Sequence, residues 1–185
     1  MGIICLETEW EHTSPKNKMP LHTEPLLEFL GKAWKRKFIY RRVATFSEML
    51  YYLKKFNTKK NKADYPIFYL SFHGDTQSIF LEAGSLITLD RLVKMADGCF
   101  EGRHVHFSSC RTLLGGEKQL LEFKKAAGAK SVSGYTKKVD GVLSAINDIA
   151  YIDQIFRHPI KPAYAEQSML KYYNGLGAEL GFKVL

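Results

Sequence analysis

Residues 65–75 of the chain read YPIFYLSFHGD, and residues 104–111 read HVHFSSCR. Each stretch begins as a short run of apolar, aromatic and β-branched residues, which is typical of a buried strand. The first run is followed by His73 and the second by Cys110. If the two strands are parallel and adjacent, their carboxyl ends meet at one edge of the sheet. The sequence therefore predicts an imidazole and a thiol facing one crevice. These are the two groups that a thiol nucleophile with an adjacent general base requires.

The rest of the chain alternates between short apolar runs and segments with helical periodicity. This alternation predicts βαβ units, and so an α/β protein whose mostly parallel central sheet has helices on both faces. No domain boundary or repeat interrupts the pattern, so residues 1–185 are predicted to form a single domain. Strands are predicted at residues 2–6, 37–43, 65–72, 78–81, 104–108, 129–135 and 181–185, helices at 24–34, 45–56, 86–96, 117–127, 140–156 and 163–173, loops at 11–20 and 57–64, and a turn at Gly84.

Composition limits the classes of protein to consider. Hydrophobic residues make up 45% and charged residues 25% of the chain, as is ordinary for a soluble globular protein. With no membrane-length apolar run and no signal-peptide pattern, we expect a cytoplasmic protein without a membrane partner. The three cysteines, Cys5, Cys99 and Cys110, are an odd and sparse set, which argues against a disulfide framework and favours a reducing compartment.

The net charge of +8 admits an acidic partner. The lysines of residues 54–62 enter the His73 strand from its amino end, which places them across the sheet from the predicted crevice. We interpret them as a solvated basic loop, and nucleic acid is not an expected partner.

The residues that follow the two strands suit acyl-transfer chemistry. Cys110 lies between a strand and a helical segment, where a helix N-terminus would stabilise a thiolate. Gly74 permits close approach of its backbone to a substrate, and its N–H and that of Cys110 are candidate donors to an oxyanion. Arg111 is a candidate for orienting a carboxylate or a substrate.

Three ordered blocks between residues 65 and 156 resemble the caspase-like cysteine peptidases, and within them the CHAT proteases, whose relatives include separases, gingipains and legumains. The blocks are the strand ending in His73-Gly74, the strand ending in Ser-Ser-Cys110, and residues 128–140, which read GAKSVSGYTKKVD. The resemblance implies a three-layer α/β/α sandwich and a Cys–His dyad that needs no cofactor or metal.

In that family's terms His73 is the general base, Cys110 is the nucleophile, and the amides of Gly74 and Cys110 form the oxyanion hole. The resemblance also implies that Asp140 lines the S1 pocket, and an acid there implies cleavage after Lys or Arg. The resemblance also implies a protein or peptide substrate and, because the chain is short, a partner protein that activates it or recognises the substrate.

Other interpretations of the same residues remain open. Asp140 is equally suited to capping a helix, His73 to a loop hydrogen bond, and Cys110 to a buried apolar position. His104 and His106 share one face of a strand, but no third metal ligand follows them at a suitable spacing. At the level of function, the alternative to a peptidase is a catalytically inactive caspase-like interaction module.

Overall fold

A computed structural model describes residues 1–8, 23–81 and 85–185 of the chain. The predicted loop at residues 11–20 and the turn at Gly84 lie outside these described residues. The strands are β1 (Ile3–Thr8), β2 (Phe38–Val43), β3 (Ile67–Ser71), β4 (His73–Asp75), β5 (Ser78–Phe80), β6 (Leu86–Thr88), β7 (His104–Ser108), β8 (Ser131–Tyr135) and β9 (Phe182–Val184). The helices are α1 (Glu24–Trp34), α2 (Phe46–Phe56), α3 (Lys59–Asp64), α4 (Leu89–Ala96), α5 (Glu117–Ala127), α6 (Gly141–Arg157), α7 (Pro162–Tyr172) and α8 (Asn174–Leu180).

Six strands form the central sheet in the order β2-β1-β3-β7-β8-β9. Every neighbouring pair is parallel except β8 and β9, which are antiparallel. The predicted α/β class with a mostly parallel sheet is confirmed, and so is the placement of β2 near an edge. Within the described residues, no helix is both long and apolar enough to cross a membrane.

The two faces of the sheet carry separate hydrophobic cores, because successive side chains of a strand point to opposite faces. Ile4 and Leu6 of β1 pack into the core that α2, α4 and α5 cover. Ile3 and Cys5, from the same strand, pack into the core that α1, α6 and α7 cover. Burial on both faces explains why these strands appear in the sequence as continuous apolar runs. The result is the three-layer α/β/α arrangement.

A second, three-stranded sheet follows β3 directly. Its strands run in the order β4-β5-β6, and both pairs are antiparallel. β4 begins at His73, so the chain leaves the central sheet just before this residue. The small sheet therefore fixes the backbone of residues 73–75, where the sequence predicts only the end of a strand.

Local capping decides several helix boundaries. The predicted capping box of α2 is present, with Thr45 accepting from the N–H of Glu48 and Glu48 accepting from the N–H of Thr45. The prediction of a loop at 57–64 is wrong, because Thr58 caps the short helix α3 by accepting from the N–H of Asn61.

Two further segments differ from the predictions in part. The sequence predicts entry to the helix of residues 86–96 at Thr88 or Asp90; Thr88 is confirmed as the N-cap, but residues 86–88 pair with β5 as a strand, so the helix begins at Leu89. The helix α8 at Asn174–Leu180 was not predicted. Its sequence contains Gly175 and Gly177, which disfavour a helix when it is judged in isolation.

The buried His104 makes stability depend on pH. Burial and the charge of Lys130 lower its pKa from 6.5 to about 4. Between these values the unfolded chain binds a proton that the folded chain does not, so stability falls as the pH decreases from 6.5 towards 4. We expect a loss of about 2–3 kcal/mol in the free energy of unfolding between pH 7.5 and pH 4.5 from this group.

Urea denaturation at a series of pH values measures this loss. His104→Gln is the matched variant, because an amide can still hydrogen-bond Ser131, the present partner of His104 Nδ1 at 2.8 Å, but does not titrate. The variant should lose stability less steeply over the same pH range. Equal pH dependence in the two proteins would contradict the assignment to His104.

Candidate active site

The two strands that precede His73 and Cys110 are adjacent, parallel and in register. Ile67 lies opposite His104 at one end of the β3–β7 pair, and Ser71 lies opposite Ser108 at the other. His73 and Cys110 each follow the last registered residue of their strand by two positions. The register therefore carries both residues to the same edge of the sheet, as the sequence predicted.

Direct contact between the two segments is made by the residue after His73. A β-carbon added to Gly74 would overlap the carbonyl oxygen of Cys110 and Oγ1 of Thr112, and would lie 2.9 Å from Cβ of Ser109. The backbone of Gly74 thus packs against the turn that contains the thiol, and no other residue type fits there. The structure brings His73-Gly74 and Cys110 together.

The side chains of the site differ in their exposure. His73 is exposed, and Cys110 is half-buried. Cys5 and Cys99 are buried, so Cys110 is the most accessible thiol of the chain. Gly74, one of the two candidate oxyanion donors, lies opposite Ile79 in the β4–β5 pair.

The helix N-terminus next to Cys110 belongs to α6 and not to the following helix. α5 begins only at Glu117, so the expectation that Cys110 itself lies at a helix start is wrong. Instead the N–H of Val139, just before α6, donates to Sγ of Cys110 at 3.5 Å. Val139 directly precedes Asp140, the N-cap of α6, so the sulfur lies beside the amino end of this helix.

Arg111 holds the turn after the nucleophile candidate in an unusual backbone conformation. Its φ is 55°, in the left-handed region that non-glycine residues seldom adopt. The N–H of Arg111 donates to the carbonyl of Lys137, and the N–H of Leu113 donates to that of Tyr135, both at 3.0 Å. The guanidinium lies 3.8 Å from the carboxylate of Asp75. Arg111 therefore bridges the turn to the strand that begins at His73.

Asp140 is the N-cap of α6. One oxygen of its carboxylate accepts from the N–H groups of Val142 and Leu143, at 2.9 and 3.0 Å. The side chain is exposed, one residue away from the Val139 N–H that contacts the sulfur. Asp140 therefore caps α6, as one of its two interpretations predicts. Its role in substrate binding stays a prediction.

Sequence reasoning missed a buried carboxylate directly beneath this edge. Asp148 of α6 accepts hydrogen bonds from Nε2 of His106 at 2.7 Å, Tyr69 OH at 2.5 Å, Ser108 Oγ at 2.7 Å, and Tyr135 OH. Burial by itself raises the pKa of Asp148, but the His106 imidazole and the hydroxyl donors outweigh it and hold that pKa below its usual value. The carboxylate is therefore ionised and fully enclosed.

A second buried carboxylate lies at the end of β1. Glu7 accepts from the N–H of Thr23 at 3.0 Å, from Thr23 Oγ1 at 2.6 Å, from Ser71 Oγ at 3.2 Å, and from Tyr40 OH. Ser71 and Ser108, the last registered pair of β3 and β7, thus each donate to a buried acid. Polar residues on the inward face of α6, at positions 144, 147, 148 and 151, were the sequence signal that could have revealed the Asp148 cluster.

The histidines that were considered as a metal pair have protein partners. Nδ1 of His104 contacts Oγ of Ser131, and Nδ1 of His106 contacts Oγ of Ser133, both at 2.8 Å. In the described parts of the chain, no three His, Cys, Asp or Glu side chains are grouped so that they could hold a metal ion.

A cavity of about 360 Å³ is lined by residues of α5, α7, α8 and β9, among them Glu117, Tyr173 and Lys183. Neither His73 nor Cys110 lines it. The thiol and the imidazole are therefore not part of this cavity.

The close packing of Gly74 gives a direct test of the site geometry. Gly74→Ala should displace the turn at Cys110, because the added methyl group overlaps backbone and buried side-chain atoms. We expect a loss of about 1–3 kcal/mol in the free energy of unfolding, as for other overpacking substitutions. Alkylation of Cys110 should also change in rate, which mass spectrometry of the labelled peptide would measure.

Gly175→Ala is the control for this substitution, since a β-carbon there meets no atom within 4 Å. It should leave both the stability and the labelling of Cys110 close to the native values. If Gly74→Ala behaves like Gly175→Ala, the described contact between Gly74 and the Cys110 turn is wrong.

Comparison with known proteins identifies the family of the chain but assigns it no activity. No curated protein matches the sequence. The match to a protein-family model extends over residues 1–185, so the family includes both strands of the site and the helix α6 beside it. By this match the chain belongs to DUF6642, a family of unknown function.

Proposed function

We propose that the protein is a caspase-like cysteine peptidase that hydrolyses peptide bonds through Cys110 and His73. The observation that carries the proposal is the in-register pairing of β3 and β7, which brings the backbone that follows His73 against the turn at Cys110. A thiol nucleophile and an imidazole base on adjacent strand ends are the two groups that covalent acyl transfer uses.

Three features of the Cys110 turn support a nucleophilic role. The thiol is the most accessible in the chain. Its sulfur accepts a hydrogen bond from the N–H of Val139, which directly precedes the N-cap of α6. The left-handed conformation of Arg111 costs free energy of about 1–3 kcal/mol, and such strained residues cluster at functional sites.

In the proposed reaction His73 accepts the thiol proton, and the thiolate attacks the carbonyl carbon of the scissile bond. The N–H groups of Cys110 and Gly74 are the proposed donors to the resulting oxyanion. His73 then returns the proton to the leaving amine, which gives a thioester on Cys110. A water molecule, activated by His73, hydrolyses the thioester and restores the free thiol.

The finer proposal concerns specificity. The proposal is that the exposed carboxylate of Asp140, next to the residue that contacts the sulfur, attracts a Lys or Arg side chain of the substrate. Arg111, which pairs with Asp75, is the second proposed substrate-binding residue. A partner protein that activates the enzyme or supplies substrate recognition belongs to the same proposal.

The first prediction concerns the nucleophile. Cys110→Ala should lower peptide cleavage by on the order of 10³-fold or more, because no other group can form the thioester. Digestion of a denatured-proteome peptide mixture, followed by mass spectrometry of the new termini, measures this even while the natural substrate is unidentified. Cys99→Ala is the control, since it removes a buried thiol and keeps Cys110. Cleavage that survives Cys110→Ala would refute the role of Cys110 as the nucleophile. If the native protein and both variants all fail to cleave peptides, the inactive interaction module is favoured instead.

The second prediction separates the two functions of Asp140. Asp140→Asn removes the charge but keeps a good N-cap, whereas Asp140→Ala removes both, at a cost of about 1 kcal/mol in stability. Cleavage after Lys and Arg should fall in both variants relative to cleavage after Leu, and the melting temperature should fall mainly in the alanine variant. An unchanged preference in Asp140→Asn would show that the carboxylate only caps α6.

A further inference from the structure

Asp148 joins the three strands of the central sheet that lead into the Cys110 site. Its donors come from the strands that lie side by side in the sheet: Tyr69 from β3, His106 and Ser108 from β7, and Tyr135 from β8. Asp148 itself belongs to α6. One carboxylate thus binds three strands and the helix that covers them.

Each of these strands continues into a different component of the site. β3 leads to His73, β7 leads to Cys110, and β8 leads to Lys137 and Val139. The carbonyl of Lys137 accepts from the N–H of Arg111, and the N–H of Val139 donates to the sulfur. The base, the nucleophile and the N–H that donates to the sulfur therefore follow strands that share Asp148 as a hydrogen-bonding partner.

The shortest connection runs through Ser108. Its hydroxyl donates to Oδ2 of Asp148 at 2.7 Å, and it is the last residue of β7, two positions before Cys110. The charge of Asp148 makes this a strong, directional bond, because hydrogen bonds to an ionised group are shorter and stronger than neutral ones. Burial and the neighbouring carboxylate raise the pKa of Tyr69 and of Tyr135, so both phenols remain protonated donors.

We propose that Asp148 is a positioning residue of the active site, which holds the Cys110 turn in its reactive geometry through Ser108. The inference rests on the proposed function, because it concerns the same thiol. Asp148 acts through the strand end that carries the nucleophile and through α6, whose N-cap directly follows the residue that contacts the sulfur.

The test measures the alkylation rate of Cys110 by iodoacetamide against pH, which needs no substrate. Ser108→Ala removes the link to Asp148 and leaves the carboxylate its other donors. We expect Cys110 to react about tenfold more slowly at neutral pH, the scale of one hydrogen bond to a charged group. The midpoint of the pH profile should also move up towards that of a free thiol, near ~8.5. Ser108→Thr, which retains the hydroxyl, should restore the native profile.

Ser131→Ala is the matched control. Ser131 is a buried serine of the same sheet that hydrogen-bonds His104 and not Asp148. Its loss should lower stability without moving the pH profile of Cys110. If Ser108→Ala and Ser131→Ala both give the native profile, the positioning role is overturned while the proposed nucleophile stands. If native Cys110 itself reacts with the rate and midpoint of a free thiol, the proposed function fails, and the positioning role fails with it.

Asp148→Asn tests the carboxylate directly. It replaces one acceptor oxygen with an amide that cannot accept from the surrounding donors, so the change in the profile should exceed that of Ser108→Ala. Circular dichroism reports whether this variant folds, and the serine variants decide the proposal if it does not. A folded Asp148→Asn protein with the native profile would overturn the role of Asp148.

Discussion

The register of β3 against β7 is the constraint on which the candidate site depends. Side chains alternate between the faces of a strand, so a shift by one residue would reverse the face of every side chain in the pair. Such a shift would turn Phe68 and Leu70 away from the core in which they pack, and it would take Ser71 out of register with Ser108. The two hydrophobic cores therefore hold His73 and Cys110 at the same edge, although neither residue belongs to a core.

Beneath that edge the sheet carries polar groups that are costly to bury. Ser71 donates to Glu7 and Ser108 donates to Asp148, and both acids are fully enclosed. A buried charge without partners is strongly destabilising. A buried carboxylate whose oxygens all accept hydrogen bonds, in contrast, allows only one arrangement of the donors around it. These clusters fix the strand ends more narrowly than apolar packing alone, which is the requirement for a nucleophile and a base that must be aligned.

The sequence was sufficient for the elements whose signals are local. The bounds of α1, β7 and α5, and the capping box at Thr45, follow from periodicity, β-branched runs and cap residues. The pairing of β3 with β7 was a condition of the predicted crevice and not itself a prediction, because apolar runs do not specify which strands are neighbours. The short helix α3 was missed because its stability comes from the Thr58 cap within a polar segment.

Features that depend on distant contacts could not be obtained in the same way. The hydrogen bond from Val139 to Cys110 joins residues whose proximity follows from the packing of α6 over β7 and β8. The Asp148 cluster unites residues from four elements, and its members look individually like ordinary polar positions. Only the tertiary arrangement shows that they share one carboxylate, and that the helix beside the sulfur is α6 instead of α5.

The most direct test of the account is the alkylation rate of Cys110 against pH in the native protein and in His73→Gln. If the imidazole of His73 is the base, native Cys110 reacts rapidly at neutral pH. The glutamine variant then reacts only as the pH approaches the pKa of an ordinary thiol, ~8.5. Cys5 and Cys99, both buried, serve as internal controls and should label slowly in the two proteins. Identical profiles for Cys110 with and without the imidazole would contradict the proposed dyad.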